Sequence, residues 1–66
     1  MEEIKEWKVG SGYITLHCET LESARMNARG ISYTQPFATI TKVLKSGGEF
    51  QTERWEKGEC VWIMKD

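Results

Sequence analysis

The stretch TLESARMNARG, residues 20–30, carries the helix signal on which the interpretation of the whole chain depends. Its apolar side chains recur at the three- and four-residue spacing of one helical stripe, and they are Leu21, Ala24, Ala28 and the following Ile31. We predict a helix that begins with Thr20 as its N-cap and ends at Gly30 in the left-handed conformation. A helix of about ten residues does not persist alone in water, so its small alanines must pack closely on another surface, most simply a sheet.

Strand patterns lie on both sides of this helix. The segments that read as strands are residues 2–9 at a sheet edge, 13–18 with one exposed face, 37–44 at the centre, and 49–56 and 60–64 in a meander. Residues 31–36 read as a connecting loop. This order predicts a single α+β domain over residues 1–66, with one helix packed on one face of a small, about five-stranded antiparallel sheet (ββαβββ). The other sheet face is then open to water or to a partner.

The net charge of −1 over 66 residues hides a segregation along the chain. Residues 1–22 hold five acidic and two basic side chains, residues 23–46 hold four basic and no acidic ones, and residues 47–66 hold five acidic and three basic ones. The middle third is thus a basic island between acidic ends. It is either a solvated surface of mixed charge or a patch that faces a partner.

Signals for catalysis and for cofactor binding are nearly absent. His17, the single histidine, precedes Cys18 in a strand, so the two side chains point to opposite faces and do not readily share a metal or form a nucleophile–base pair. No Gly-rich phosphate loop precedes the helix. We therefore expect a protein that is not an enzyme, with no cofactor and no metal. The acidic residues Glu49, Glu53 and Glu56 are expected on a solvated sheet edge, or as a row that imitates a nucleic-acid backbone.

The two cysteines and the hydropathy pattern indicate a compartment. Cys18 and Cys60 both fall in apolar strand patterns, where buried free thiols are expected; the alternative is a disulfide bond in an oxidising medium. No apolar run approaches the length of a signal peptide core or a membrane span. We expect a soluble cytoplasmic protein without membrane contact.

Aromatic residues are numerous for a chain of this length, with three Trp, two Tyr and two Phe. Trp7, Tyr13 and Trp62 are the candidates for exposure, either as rigid contact area for a partner or as stacking pairs across strands. Aromatic and basic residues together also describe a nucleic-acid platform, so a direct nucleic-acid-binding module using the basic helix and adjacent strand is the alternative function. A homodimer through an uncovered strand edge or the second sheet face is a further option.

The chain carries a set of short motifs, which are Thr20-Leu21-x-x-Ala24-x-x-x-Ala28, Phe37-x-Thr39, Gly47-Gly48, Glu56-Lys57-Gly58 and Trp62. Together they resemble those of the small phage anti-CRISPR proteins that act on the type I-F surveillance complex. The resemblance covers roughly residues 20–62 and implies the same layout of two strands, one helix and a meander. It also implies a non-enzymatic inhibitor in the host cytoplasm that binds the crRNA-bound backbone subunits and obstructs hybridisation of target DNA.

The resemblance also assigns residues to the partner-binding surface. In that family the helix and its following loop present basic residues to the complex, and Arg25 matches one of them. Met26 and Gly30 stand at positions where the family has basic residues. The target could therefore instead be a different surveillance complex, a nuclease or another defence protein. We hypothesise that Arg29 supplies charge one position earlier. The predicted partner-binding residues are Arg25, Arg29, Tyr33, Gln35 and Lys42.

Overall fold

The computed structural model describes residues 3–65, which form one helix packed on a five-stranded antiparallel sheet. The elements in chain order are β1 (Ile4–Ser11), β2 (Ile14–Cys18), α1 (Leu21–Thr34), β3 (Ala38–Leu44), β4 (Glu49–Glu56) and β5 (Glu59–Ile63). The sheet order is β2-β1-β3-β4-β5, so the predicted fold class, the ββαβββ order and the central position of β3 are confirmed. Glu2, where the first predicted strand began, lies outside the described residues.

The strand β1 lies inside the sheet, which corrects the prediction that it forms an edge. It pairs with β2 on one side and with β3 on the other. Its alternate residues Trp7 and Val9 pack against the helix side of the sheet. The charged Glu6 and Lys8, which suggested an edge, point to the opposite face, where water and polar partners surround them. The edges of the sheet are therefore β2 and β5.

The hydrophobic core lies between α1 and the middle strands. Its fully buried members are Val9, Ala24, Ala28, Ala38 and Ile40. The two helix alanines allow the backbone of α1 to approach the sheet closely, as the sequence predicts. Partly buried side chains close the margins of the core, and they are Trp7, Leu21, Ile31 and Trp55. Because each fully buried Val or Ile contributes about 1.5–3 kcal/mol, a core of this size supports only a modestly stable domain.

The helix begins as predicted but runs one turn further. Thr20 Oγ1 accepts a hydrogen bond from the Ser23 N–H at 3.1 Å, so Thr20 is the N-cap. Gly30 is not the C-cap: it lies inside α1, which continues to Thr34 and is followed by Gln35 in an extended conformation. A glycine inside a helix costs about 1 kcal/mol relative to alanine, so contacts made by the last turn must offset that cost.

Those contacts come from the hairpin turn between β4 and β5. The Lys57 N–H donates to the Ser32 carbonyl oxygen at 3.1 Å, and the Gly58 N–H donates to Ser32 Oγ at 2.7 Å. Lys57 and Gly58 have φ values of 52° and 79°, as a type I′ turn requires. The Tyr33 ring lies against Gly58, where a Cβ atom would clash with it. Ser32 and Gly58 are 26 positions apart, so the local helix pattern carried no sign of this contact.

The sheet face opposite α1 is polar, and many of its charges are paired. On this face Lys8 forms an ion pair with Glu49 and Arg54 with Glu56, and His17 Nδ1 is hydrogen-bonded to the Glu6 carboxylate. The Arg54 guanidinium also lies over the Phe37 ring, 4.2 Å from its centroid. This face therefore presents mixed charge rather than one sign.

Candidate partner-binding surface

Three of the five predicted partner-binding residues form a strip along one side of α1. Arg25, Arg29 and Tyr33 follow one another at intervals of four residues, which places them one above the other on the helix surface. All three are exposed. The two end members fix the position of the strip, because Arg25 binds Glu53 of β4 and Tyr33 lies on Gly58 of the β4–β5 turn. This helix strip (Arg25, Arg29 and Tyr33) therefore lies toward the β5 edge of the sheet.

A buried carboxylate anchors the first residue of the helix strip. Arg25 donates to Glu53 Oε2 from Nε at 2.9 Å and from Nη2 at 2.7 Å. Trp55 Nε1 donates to the other oxygen, Glu53 Oε1, at 3.0 Å. The hydrogen bond to Glu53 raises the pKa of Arg25 against the opposing effect of desolvation, so the guanidinium keeps its charge. Its planar group is thus held in one orientation, with the remaining N–H donors left for other acceptors.

The burial of Glu53 in the inner strand β4 corrects the prediction that Glu49, Glu53 and Glu56 lie on a solvated sheet edge. Glu53 is only 2% exposed and lies opposite Ile40 in the sheet, beneath the helix. Glu49 and Glu56 instead make their ion pairs on the uncovered face. The sequence did hold a signal for this arrangement. Glu53 and Trp55 are two residues apart on one strand, so their side chains point to the same face of the sheet. Because the apolar Trp55 packs under the helix, Glu53 lies on the helix side as well.

Arg29, in the middle of the helix strip, makes no ion pair within residues 3–65. Its backbone carbonyl accepts a hydrogen bond from Ser32 Oγ at 2.8 Å, which ties its main chain to the last turn of α1. The exposed guanidinium therefore stands on a well-fixed backbone. A planar cation of this kind can bind a carboxylate or a phosphate of another molecule through two parallel hydrogen bonds.

Gln35 and Lys42 lie outside the helix strip. The Gln35 N–H donates to the Ile31 carbonyl oxygen at 2.8 Å, so this residue closes the C-terminus of the helix, two positions after Tyr33. Lys42 lies opposite Phe50, and its Nζ is 6.0 Å from the centroid of that ring. Phe50 precedes by three positions the Glu53 that binds Arg25 in the first part of α1, which places Lys42 near the start of the helix. A 14-residue helix is about 21 Å long, so Lys42 and Tyr33 stand near opposite ends of it. The structure does not bring Lys42 together with the other four residues.

The edge strand β5 carries exposed apolar side chains, of which Ile63 lies beside the helix strip and Trp62 lies on the uncovered face with Arg54. Val61, Trp62 and Ile63 are about half exposed, at 52%, 45% and 54%. Ile63 lies opposite Glu53 in the sheet and hence close to Arg25. Of these three residues, only Trp62 was predicted to be exposed. The exposure of Val61 and Ile63 could also have been predicted, because three consecutive apolar residues in a strand cannot all point to one buried face.

The other aromatic and cysteine predictions have mixed outcomes. Tyr13 is fully exposed as predicted, whereas Trp7 is half-buried against the core. Both cysteines are free thiols; Cys18 is buried as predicted, but Cys60 is only partly buried, with its Sγ 3.9 Å from a carboxylate oxygen of Glu53. The thiol of Cys60 therefore belongs to the surroundings of the buried carboxylate.

The part of the chain that the structure describes has neither a metal-binding cluster nor a membrane-spanning helix. Within it, no cluster of three or more His, Cys, Asp or Glu side chains has the geometry to hold a metal ion. No helix between residues 3 and 65 is long and apolar enough to cross a membrane. His17 is exposed and bound to Glu6, while Cys18 lies beneath the side-chain amide of Asn27, with 3.6 Å between Nδ2 and Sγ.

Comparison with protein-family models, with curated proteins and with solved structures finds no significant match to this chain. The resemblance to anti-CRISPR proteins therefore depends on the motifs quoted for it, and the class of the protein is defined by its fold alone: a small α+β domain with one helix on an open antiparallel sheet.

Proposed function

We propose that this chain is a small non-enzymatic interaction protein that binds another protein through the helix strip and the adjoining part of β5. The observation that carries the proposal is the arrangement of this surface. It combines a fixed cation at Arg25, an exposed cation at Arg29, the broad ring of Tyr33 and the apolar Ile63 beside them. Arg, Tyr and exposed apolar side chains in one patch are typical of the residues that dominate protein interfaces.

The motif resemblance supplies the identity of the partner within this proposal. It makes the chain a phage-encoded inhibitor in the host cytoplasm that binds a type I CRISPR surveillance complex and blocks its access to target DNA. The proposal assigns Arg25, Arg29 and Tyr33 to the contact surface, and Gln35 joins them at the C-terminus of the helix. Lys42 belongs to this surface only if the partner is large enough to span both ends of α1.

The pairing of charges favours a protein partner over direct binding of nucleic acid. Binding to a phosphate backbone relies on several cations that release counterions. In this chain Arg25 is compensated by Glu53, and Lys8 and Arg54 are compensated by acidic residues on the uncovered face. Of the two cations of the helix strip, only Arg29 lacks an ion pair among the described residues, so this surface is better suited to one or two specific ion pairs with a protein.

The direct experiment mixes the purified chain with a purified type I-F surveillance complex and measures both co-elution and binding of labelled target DNA. We expect a stoichiometric complex that no longer binds DNA. The variant Arg29→Glu should lose this binding, while Lys45→Glu, which makes the same charge change at the exposed β3–β4 turn, should keep it.

Gel-shift experiments at two salt concentrations distinguish the proposed protein-binding function from direct binding of nucleic acid. Gel shifts of the chain alone with DNA or RNA should show no complex at physiological salt. A shift that weakens steeply with salt, together with no effect on the surveillance complex, would replace the proposal with the nucleic-acid-binding alternative. If neither is bound, capture from host lysate by the wild-type chain and not by Arg29→Glu identifies a different protein partner.

A further inference from the structure

The second edge of the sheet, β2, lies on the far side of the molecule from β5 and carries none of the charges, prolines or bulges that protect many edges. Its five residues, Ile14–Cys18, contain no Pro, Lys, Arg, Asp or Glu. Its register with β1 runs without a bulge from Trp7↔Cys18 to Ser11↔Ile14. Edge strands that lack charges, prolines and bulges are open templates for pairing with another chain.

The edge strand β5 differs from β2 in these respects. Its register with β4 shifts between Arg54 and Trp55, which leaves Val61 as an extra residue in the strand. A bulge bends an edge and interrupts the regular row of donors and acceptors. Charged Glu59 also begins the strand. Regular pairing with a further strand is therefore better supported at β2 than at β5.

The backbone of β2 presents two residues outward. The pair Ser11↔Ile14 closes a two-residue turn in which Gly12 has a φ of 57°, as the first central residue of a type II′ turn does. The residue pair that closes a two-residue turn is joined by backbone hydrogen bonds. Along an antiparallel ladder, hydrogen-bonded and non-hydrogen-bonded pairs alternate, so Val9↔Leu16 is again hydrogen-bonded and Gly10↔Thr15 is not. The backbone groups of Ile14 and Leu16 therefore point to β1, whereas those of Thr15 and His17 point away from the sheet.

We propose that β2 pairs antiparallel with β2 of a second copy of this chain, about a two-fold axis at Leu16. In this register Leu16 lies opposite Leu16 of the second copy, Thr15 opposite its His17, and Ile14 opposite its Cys18. Thr15 and His17 both point outward, so each of these pairs can exchange both backbone hydrogen bonds. The two five-stranded sheets then continue as one.

Side-chain positions agree with the same register. Ile14 and Leu16 are each 37% exposed on the helix side of the sheet, and the pairing places them against Cys18 and Leu16 of the second copy. Thr15 and His17 share the uncovered face. A shift that centred the axis on His17 would oppose two histidines, and a shift to Thr15 would leave Cys18 without a strand residue opposite it. The register centred on Leu16 alone pairs all five residues and opposes no like charges.

The size of this edge predicts a weak dimer. Five strand residues extend over about 17 Å, and a stable interface buries roughly 1,200 Å² or more. The paired edges must therefore be supplemented by flanking side chains such as the fully exposed Tyr13. We expect reversible dimerisation at micromolar to millimolar concentrations, independent of the helix strip on the opposite side of the molecule.

The first test measures mass by sedimentation equilibrium over that concentration range. Thr15→Pro removes only an outward N–H, so the β1–β2 ladder is kept, and proline is tolerated at such edge positions. Each copy donates its Thr15 N–H across the two-fold axis, so the dimer of the Thr15→Pro variant lacks two hydrogen bonds. Its dissociation constant should therefore be about 30-fold higher than that of the wild type. Ile63→Pro is the matched control: the Met64 N–H donates to Thr52 of β4, so the Ile63 N–H points outward at β5. This control should dimerise like the wild type.

The second test fixes the register and does not depend on a proline being accommodated. In a Cys60→Ser background, Leu16→Cys places two thiols opposite each other across the axis, at a Cα separation of about 4.5 Å, where a disulfide forms on mild oxidation. The control Thr15→Cys places the new thiols diagonally, about 7–8 Å apart, and should cross-link far less.

Three results would overturn the inference: a monomer at every concentration, a dimer abolished by Ile63→Pro and retained by Thr15→Pro, or equal cross-linking of the two cysteine variants. Loss of partner binding by Arg29→Glu leaves the dimer unchanged, so the proposed function and this inference are tested separately.

Discussion

Replacing Arg25 by alanine probes the buried contact that joins the helix to β4. Glu53 is 2% exposed and accepts both Arg25 hydrogen bonds at Oε2, with Trp55 as the donor to Oε1. Arg25→Ala leaves this carboxylate beneath the helix with the Trp55 N–H and the weak Cys60 thiol as its remaining donors. Glu53→Gln removes the charge from the buried side, while Arg25, whose side chain is 47% exposed, can be solvated by water.

The two changes should therefore differ in cost. Removing one partner of a fully buried ion pair costs about 3–5 kcal/mol. Because Arg25 reaches solvent, water partly replaces it, and we expect about 2–3 kcal/mol for Arg25→Ala by discounting that range. For Glu53→Gln we expect about 1 kcal/mol, because the amide oxygen can still accept from Trp55. A domain of 66 residues has a total stability of about 3–10 kcal/mol, so Arg25→Ala uses a large share of it.

The assay is thermal and urea unfolding of the wild type, both single variants and the double variant, followed by circular dichroism. Arg25→Ala should lower the melting temperature by about 10–20 °C, since 1 kcal/mol corresponds to about 4–8 °C in a domain of this size. The double variant should be about as stable as Glu53→Gln alone, so the coupling free energy should equal the cost of Arg25→Ala, about 2–3 kcal/mol. If Glu53→Gln is as costly as Arg25→Ala, or if the two effects simply add, the assignment of Glu53 as a buried anchor of Arg25 is wrong.

Three further substitutions test the packing of the helix. Ser32→Ala leaves the buried Gly58 N–H without an acceptor and should cost about 1–2 kcal/mol with faster exchange of that amide, whereas Thr34→Ala on the exposed side should cost little in the same unfolding assay. Gly58→Ala combines a positive φ with a clash against the Tyr33 ring, so we expect a loss of at least about 1 kcal/mol, part of which Tyr33→Ala should recover in the double variant. Leu21→Asp places a charge at the margin of the core and should unfold the chain; a far-ultraviolet circular dichroism spectrum identical to wild type would contradict the helix placement.

The start of α1 was predictable from local sequence, and its end was not. Thr20 provides its cap within one turn, and the alanine spacing indicates the buried face directly. Gly30 is the strongest local stop signal, but the helix continues because Ser32 binds Gly58 in a turn formed much later in the chain. A contact between distant segments outweighed a local preference of about 1 kcal/mol.

Strand order and the contacts of the candidate site were likewise only partly predictable from local sequence. The charges of Glu6 and Lys8 suggested an edge, yet alternation alone would allow an interior strand with one wet face, and β1 is such a strand. The helix strip follows from helical spacing, so Arg25, Arg29 and Tyr33 can be grouped from their positions in the chain alone. What the spacing could not reveal is that Glu53 holds Arg25, since that requires the helix to cross β4 at this residue.

The fate of the basic island bears directly on how this protein binds. Along the sequence the island stands between two acidic segments, and as a linear pattern it suggests a patch that attracts anions over some distance. Strand pairing and packing of the helix on the sheet bring those acidic segments back against the cations of the chain: Lys45 Nζ lies 3.8 Å from Glu3 Oε2, and Arg25 Nη2 lies 2.7 Å from Glu53 Oε2. Opposite charges at such distances cancel beyond a Debye length of about 8 Å at physiological salt. The fold thus converts a segregated charge pattern into short-range pairs, so that Arg29 must find its anion at contact distance and recognition depends on the shape of the surface around it.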